Sequence, residues 1–201
     1  MPRQAKAGRY HHGDLRAALI DTAIELVAER GMRDFSLAEA SRRVGVASSA
    51  PYAHFADRDE LLAAVAVRAY QRFHAELEPA MRRTSDPAGR LAAIARAYVR
   101  FAGAHTALFR VLVDGGIDKA RHPEVTAAER PVDDAFRDSV QALSAGDDLA
   151  IAVEATAHGH AMLLLDGSLA DQEDAAERAV RATLALIENR GLLTSGPGQA
   201  A

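Results

Sequence analysis

The chain has 201 residues, of which 49% are hydrophobic and 26% charged, a balance typical of a globular protein with one or two domains. It contains no Cys, which excludes disulfide bonds and thiolate metal sites, and its net charge of −4 argues against a general nucleic-acid coating protein. Neither a signal peptide nor a run of roughly 18 apolar residues is present, so we expect a cytoplasmic protein.

The charge is unevenly distributed along the chain. Residues 1–60 carry nine basic and nine acidic side chains, whereas residues 61–201 carry 15 and 19. The basic side chains of the first 16 positions, opposed there by the single acid Asp14, are Arg3, Lys6, Arg9 and Arg16. A basic arm before an acidic body indicates two functions in one chain, although a solvated tail without a function could have the same composition.

Every periodic segment has helical spacing, and the alternation and β-branched clusters that are typical of strands are missing. We therefore predict an all-α protein of about nine helices. The predicted helices cover residues 14–30, 36–45, 47–55, 57–81, 88–103, 105–113, 123–143, 147–165 and 172–190. Pro131 is an alternative restart inside the seventh helix, and Pro79 is expected to end or kink the fourth.

Residues 36–55 combine the features that a helix-turn-helix requires. Ser36 and Glu39 make a capping box, in which the hydroxyl accepts from the Glu39 N–H and the carboxylate reaches back to the Ser36 N–H. Ser41 is small enough for two helices to cross closely, and Gly45 allows a left-handed turn between them.

The predicted reading helix, residues 47–55, contains no Lys or Arg. With Ser48 as its N-cap, Pro51 lies in the first turn, where no intrahelical bond needs its N–H. The small residues before Pro51 keep this end of the helix slim enough to enter a major groove.

The segment FSLAEASRRVGVASSAPYAHFADRDELL, residues 35–62, resembles the DNA-binding domain of TetR-family transcriptional regulators. Together with the preceding helix that ends in AERG, the similarity covers residues 14–62. Ala47 stands where the family usually has Ser or Thr, and Ser41 where it usually has Ala. These departures leave the base-reading pattern more open than the fold.

A second motif, EATAHGHAMLLLDG at residues 154–167, resembles the C-terminal domain of a TetR subclass named for a Trp-His-Gly triplet, although this chain has no Trp. The resemblances imply a three-helix DNA-binding domain followed by a helical bundle. The expected divisions are a basic arm over residues 1–13, the helix-turn-helix domain over 14–60, a regulatory and dimerisation domain over 61–192 and a tail over 193–201.

The resemblance implies a DNA interface around the reading helix. Ser36 and the first N–H groups of the second helix face a phosphate, and Tyr52 contacts the DNA backbone or thymine methyl groups. Core packing is the alternative for Tyr52, and it is the expected role of Phe55. The other expected DNA contacts are Ser48, Ser49, Ala50, His54, Arg58, Arg42 and the arm residues Arg3, Lys6 and Arg9.

The resemblance also implies a homodimer, in which the last two helices of each chain pack as a four-helix bundle, and a ligand pocket inside each C-terminal domain. The small and apolar residues expected at the dimer interface are Ala150, Ala157, Ala161, Ala176, Val180, Thr183, Leu184 and Ile187. The pocket residues expected from aromatic and polar character are Tyr98, Phe101, His105, Phe109, Phe136, His158 and Met162, with plain core packing as the alternative.

These features predict a one-component regulator that binds a palindromic double-stranded operator and acts as a repressor released by a small-molecule effector. An activator or nucleoid-type binder on the same fold is the first alternative. A helical ligand-binding protein or enzyme that never touches DNA is the second.

No cofactor is expected, and His158 and His160, two residues apart on one helix, cannot chelate one metal together. Phosphate-loop and nucleophile-elbow motifs are missing, so we expect no enzyme activity.

Overall fold

The computed structural model describes residues 12–32 and 35–193, and these residues form eight α-helices, two short 3₁₀ segments and no strand. The all-α prediction is therefore confirmed. The helices are α1 (His12–Arg30), α2 (Leu37–Val44), α3 (Arg58–Met81), α4 (Pro87–Ala104), α5 (Thr106–Asp114), α6 (Pro123–Ala142), α7 (Asp147–Leu165) and α8 (Gln172–Glu188). The 3₁₀ segments are Ala50–Ala53 and Arg190–Leu192.

The α-helices agree with their predicted bounds to within two residues. α6 continues through Pro131 without a restart, and α3 ends two residues after Pro79. The arm residues Arg3, Lys6 and Arg9 lie outside the described residues. Over the described part of the chain, no helix combines the length and the apolar character that crossing a membrane requires.

α2 begins and ends at the residues that the sequence predicts. Ser36 Oγ accepts from the Glu39 N–H at 3.2 Å, and Gly45 closes the helix in the left-handed conformation with φ of 81°. The reciprocal half of the predicted capping box is replaced by a different contact. The Glu39 carboxylate accepts from Arg42 Nε and Nη2, at 2.9 and 2.7 Å. A bidentate guanidinium pair engages both carboxylate oxygens and so competes with the bond back to Ser36.

The predicted reading helix is instead a single 3₁₀ turn, Ala50–Ala53, and we call residues 47–55 the reading segment. The tighter turn is visible in the backbone, where the His54 N–H donates to Pro51 O at 2.8 Å across three residues. The prediction of an α-helix here is therefore wrong. A pair of adjacent serines followed by proline has a low helix propensity, so the tertiary anchors of the segment decide its conformation.

Two buried side chains hold the reading segment. Pro51 is buried near its middle, and Phe55, which is 1% exposed, is buried at its end, where the sequence places it in the core. The residue that precedes the 3₁₀ turn is Ser49 rather than Ser48, and its hydroxyl makes no capping bond. The serine hydroxyls are therefore not engaged in capping the segment.

α4 is the central helix of the C-terminal part and packs against α3, α6, α7 and α8. α3 begins beside the reading segment and continues into this bundle, so the expected domain boundary at residue 60 falls within one helix. A single hydrophobic core extends from Leu19 of α1 through Phe73 of α3 to Ala161 of α7. The N-terminal part formed by α1, α2 and the reading segment therefore shares one core with the body, and the division into two domains remains a prediction.

Most of the predicted dimer residues are buried within one protomer. They lie where α7 and α8 pack against each other and against α4, so they have almost no surface to offer a second chain. The buried residues are Ala157, Ala161, Ala176, Val180, Thr183 and Ile187. Ala150 is half-buried and Leu184 is 41% exposed. The prediction assigned these residues to a contact with a second chain, whereas they pack against helices of their own chain. The two cases look alike in the sequence because α7 and α8 each have apolar residues on more than one side.

We predict that Gly45→Ala lowers the free energy of unfolding by about 1 kcal/mol, because a β-carbon disfavours the left-handed conformation. Space is not the limit, since no atom lies within 4 Å of a β-carbon built at Gly45. Gly45→Asn is the matched control, because Asn tolerates this conformation better and should cost less. Urea denaturation of both variants measures the difference, and equal losses would contradict the conformational explanation.

Candidate nucleic-acid interface and internal cavity

The exposed side of the reading segment carries Ser48, Ser49 and Tyr52. The Tyr52 ring is 59% exposed although Tyr is a large amphipathic side chain, whereas Ala50 and His54 are half-buried. The structure thus presents the predicted base-reading serines and the tyrosine on one short turn. A phenol ring held in this way offers both a hydroxyl donor and an apolar face to a partner.

Positive charge lies beside the reading segment rather than on it. The Arg16 guanidinium stacks 5.1 Å from the centre of the Phe55 ring, and Arg42 is exposed in the last turn of α2, the helix that Ser36 caps. The Glu39 carboxylate contacts Arg42 and also Arg30, at 3.2 Å. The hydrogen bond from Arg42 lowers the pKa of Glu39 to about 2. Arg43 in turn pairs with Glu29 at 2.6 Å, which leaves Arg42 as the most exposed guanidinium of this cluster.

The Arg58 guanidinium, for which the resemblance implies a phosphate contact, bonds to the backbone of its own chain. Its Nη2 donates to Met32 O at 2.6 Å and its Nε to Phe35 O at 3.2 Å, while the guanidinium stacks 5.6 Å from the Phe35 ring centre. Arg58 therefore fastens the start of α3 to the connection between α1 and α2. Charged donors satisfy carbonyls at this connection that would otherwise lack a partner.

A cavity of about 450 Å³ lies between α3, α4, α5, α6 and α7. Its aromatic walls pack edge to face, with the Tyr98 ring centre 5.9 Å from that of Phe73 and 5.3 Å from that of Phe109. The predicted pocket residues that line it are Tyr98, Phe101, Phe109, Phe136 and His158. A cavity of this size and character is typical of a small-molecule site.

The other two predicted pocket residues lie elsewhere. His105 precedes α5, and its Nε2 is 2.8 Å from the Glu76 carboxylate, outside the cavity walls. Met162 packs against the core and is likewise absent from the cavity lining. His105 follows the end of α4 and Met162 lies on α7, and the sequence contains no signal for the direction in which either side chain points.

Two polar groups penetrate the aromatic cavity. The Tyr98 hydroxyl lies 3.1 Å from His158 Nδ1, and the Tyr70 hydroxyl donates to Glu129 at 2.8 Å. Burial, reinforced by the charge of Glu154, raises the pKa of Tyr98 to about 12. The Tyr98 hydroxyl therefore keeps its proton at neutral pH and can donate to His158.

Sequence reasoning missed the charged part of the cavity wall. Lys119 Nζ donates to both oxygens of Glu129, at 2.7 and 2.6 Å, and Asp133 and Glu154 also line the cavity. Tyr70, which joins Glu129, lies 59 residues before it in the chain. No local pattern links such distant residues, and in the sequence they read as ordinary solvated helix faces.

The histidines of α7 have separate partners. His158 faces Tyr98, whereas His160 Nδ1 lies 2.7 Å from Thr156 O of its own helix. Among residues 12–32 and 35–193, no group of three or more His, Cys, Asp or Glu residues is arranged to hold a metal ion.

Two family descriptions match successive parts of the chain. Residues 19–65 match the family described as bacterial regulatory proteins, tetR family, and residues 91–186 match the tetracyclin repressor-like C-terminal domain. The second match includes the motif at 154–167. The chain belongs to the TetR family. It is a DNA-binding transcriptional regulator, and its family and relatives are regulators rather than enzymes.

Individual relatives agree with this assignment. The TetR-family chain is 27% identical over 135 residues to the HTH-type transcriptional activator FasR of Mycolicibacterium smegmatis, and 32% identical over 79 residues to the HTH-type transcriptional regulator BetI of Brucella anthropi. These alignments cover 67% and 39% of this chain, and they span 61% and 41% of the lengths of the two curated relatives.

Solved structures share the fold. A protein of unknown function from Rhodococcus sp. RHA1 is 30% identical, with a TM-score of 0.70 over 89% of this chain and 97% of that protein. A tetR-family regulatory protein from Rhodococcus RHA1 is 18% identical, with a TM-score of 0.71 over 86% of this chain and 96% of that one. At that lower identity the likeness concerns the fold alone.

For this TetR-family regulator, we predict that Arg58→Ala lowers the free energy of unfolding by about 1–2 kcal/mol, because two carbonyls lose a charged donor. Arg42→Ala, which removes an exposed guanidinium from the same part of the molecule, should change stability by less than about 0.5 kcal/mol. Urea denaturation of both variants checks this. If Arg58→Ala were as stable as the parent, its bracing role would be refuted.

Proposed function

We propose that the protein is a homodimeric repressor that binds a palindromic operator in the cytoplasm and releases it when a small molecule fills the cavity. The observation that carries the release step is the position of α5. Phe109, Leu112 and Val113 of α5 line the cavity, while the helix also packs against α1. Together with α2 and the reading segment, α1 forms the part that we call the DNA-facing end. A ligand that displaces α5 therefore acts on α1 directly.

The reading segment supplies the proposed base contacts. Ser48 and Ser49 are exposed and present small hydroxyls, which fit close approach to base edges in a major groove. Tyr52 beside them contacts a sugar, phosphate or thymine methyl group. Ala50 and the half-buried His54 remain proposed contacts at the edge of this surface.

Proposed phosphate contacts surround the reading segment. Ser36 is exposed at the N-terminus of α2, whose first N–H groups attract an anion, and Arg42 adds positive charge on the same helix. Arg16 is a further candidate, since its guanidinium lies over Phe55 at the end of the reading segment. The arm residues Arg3, Lys6 and Arg9 retain their proposed place in the adjacent minor groove.

The proposed dimer face lies on the outer side of α7 and α8. Ile151 is 63% exposed and Leu163 is 43% exposed, and they lie about 18 Å apart along α7. Between them, Gly159 has no atom within 4 Å of a β-carbon built on it. Leu184, 41% exposed, extends the apolar surface onto α8. Small residues between large apolar ones let a symmetry-related helix approach closely, which supports an isologous contact.

Activation is a second candidate outcome of the same DNA binding, because the relative FasR is named a transcriptional activator. In vitro transcription distinguishes the two. The template carries an operator recovered from random duplex DNA by selection with the full-length protein. Repression predicts less transcript on adding the protein, and activation predicts more. Failure to recover any preferred duplex would contradict operator binding itself.

We predict that Tyr52→Ala weakens binding to the selected operator about tenfold, because the exposed ring leaves the interface. The melting temperature should change little, since Tyr52 is not part of the core. Tyr52→Phe keeps the ring and removes the hydroxyl, so it separates apolar contact from hydrogen bonding. Fluorescence anisotropy with labelled operator gives the affinities, and an unchanged affinity for Tyr52→Ala would remove Tyr52 from the interface.

We predict that Leu163→Arg and Leu184→Arg each convert the dimer to monomer, because they bury an unpaired guanidinium at an apolar contact. Leu192→Arg is the matched control: Leu192 is 76% exposed and lies beyond α8. Sedimentation velocity measures the oligomeric state. A dimer that persists in both α7 and α8 variants would contradict this interface.

A further inference from the structure

The charged residues that line the cavity are mainly acidic. Three carboxylates, those of Glu129, Asp133 and Glu154, face a single ammonium group, that of Lys119. Glu129 is the most heavily engaged of them, since it accepts from Lys119 Nζ on both oxygens and from the Tyr70 hydroxyl at 2.8 Å. Glu154 and Lys119 are exposed and the other two carboxylates are half-buried, so this excess of negative charge lies on the solvent-exposed part of a largely aromatic and aliphatic cavity wall.

The other two carboxylates have no cation inside the cavity. Asp133 accepts from Arg137 Nε at 2.9 Å, but Arg137 is outside the cavity lining and largely exposed. The Glu154 carboxylate makes no hydrogen bond or ion pair with any described residue, and its charge acts on the Tyr98 hydroxyl. An incoming anion would therefore meet like charges, whereas an incoming cation would meet an unpaired carboxylate.

The aromatic walls favour the same ligand class. Tyr98 packs against Phe73 and Phe109, and the Phe109 ring is stacked on His158 at 6.2 Å between ring centres. The faces of such rings attract a cationic nitrogen, and the surrounding aliphatic side chains accommodate an apolar body. Electrostatics and shape thus both select an organic cation.

We propose that the effector is an organic cation with an apolar body, whose charged nitrogen replaces the Lys119 ammonium at Glu129. This inference rests on the proposed function of the cavity as an effector site. The Lys119 side chain is 48% exposed and the Glu129 side chain 28% exposed. The displaced ammonium gains water easily on its flexible stem, while the more enclosed carboxylate keeps a cationic partner. The exchange conserves the charge of the site.

The exchange also explains how the cavity acts on the DNA-facing end. Lys119 belongs to the turn between α5 and α6, and two residues later Arg121 Nη2 donates to Asp57 at 3.3 Å. Asp57 caps α3, accepting from the Glu60 N–H at 2.8 Å, immediately after the reading segment. Releasing Lys119 frees a turn that touches the start of α3.

Three octyl compounds test the ligand class on the full-length dimer: octyltrimethylammonium, octanol and octanoate. They share the apolar chain and differ in the charge of the head group. By isothermal titration calorimetry, we expect the ammonium compound to bind at least about tenfold more tightly than either of the others. Tighter binding of octanoate, or binding of none of the three at millimolar concentration, overturns the inference.

Variants test the exchange at Glu129. Lys119→Ala removes the internal competitor, so we expect it to tighten octyltrimethylammonium binding about tenfold, whereas Glu129→Gln should weaken it about tenfold. Arg82→Ala is the matched control, since it removes one cation from a surface pair with Glu78 and should change affinity less than twofold. Weaker binding in Lys119→Ala overturns the exchange.

Glu154→Gln separates the two acidic positions. If Glu154→Gln no longer binds the ammonium compound, while Glu129→Gln is folded by circular dichroism and still binds it, the exchange at Glu129 is wrong.

Operator binding is measured in parallel by fluorescence anisotropy. A cation that binds the cavity without changing operator affinity contradicts the proposed release function and leaves the ligand class intact. An anion that releases the operator contradicts the ligand class and leaves the release function intact.

Discussion

The rest of the structure depends on the burial of α3 at both of its ends. This helix has 24 residues and is therefore about 36 Å long, enough to extend from the reading segment to the far side of the bundle. Leu61 near its start and Leu77 near its end are both fully buried. Because one rigid helix enters both parts of the molecule, a displacement in the body is not absorbed by a flexible linker.

The conformation of the reading segment depends on its packing beside the start of α3. The segment lies between two capped helices, and buried Pro51 and Phe55 anchor its single 3₁₀ turn in the core. Tyr52 and the serines are left exposed. In the proposed DNA interface, specificity and affinity are thereby separated: the short turn offers small groups to the bases, and charge is supplied by Arg16 and Arg42 on neighbouring helices.

The cavity has a comparable division of roles. Aromatic residues from α3, α4 and α5 define its shape, while the Lys119–Glu129 pair connects its wall to the turn between α5 and α6. Helix α5 and this turn contact the DNA-facing end at different points, α1 and Asp57. The Arg121–Asp57 pair is exposed and therefore weak on its own, so the packing of α5 against α1 is the stronger of the two connections.

The sequence by itself determined the α-helices, the cap at Ser36 and the left-handed end at Gly45, because these depend on neighbours within a few residues. Five of the predicted pocket residues line the cavity, and they could be chosen from the sequence because only 5% of the residues in this chain are aromatic.

Tertiary structure alone decided the 3₁₀ turn of the reading segment and the bracing role of Arg58. It also decided which faces of α7 and α8 are buried and the pairing of Lys119 with Glu129. Each of these depends on which distant segment a side chain meets, and helical periodicity specifies that a face is apolar without specifying its partner.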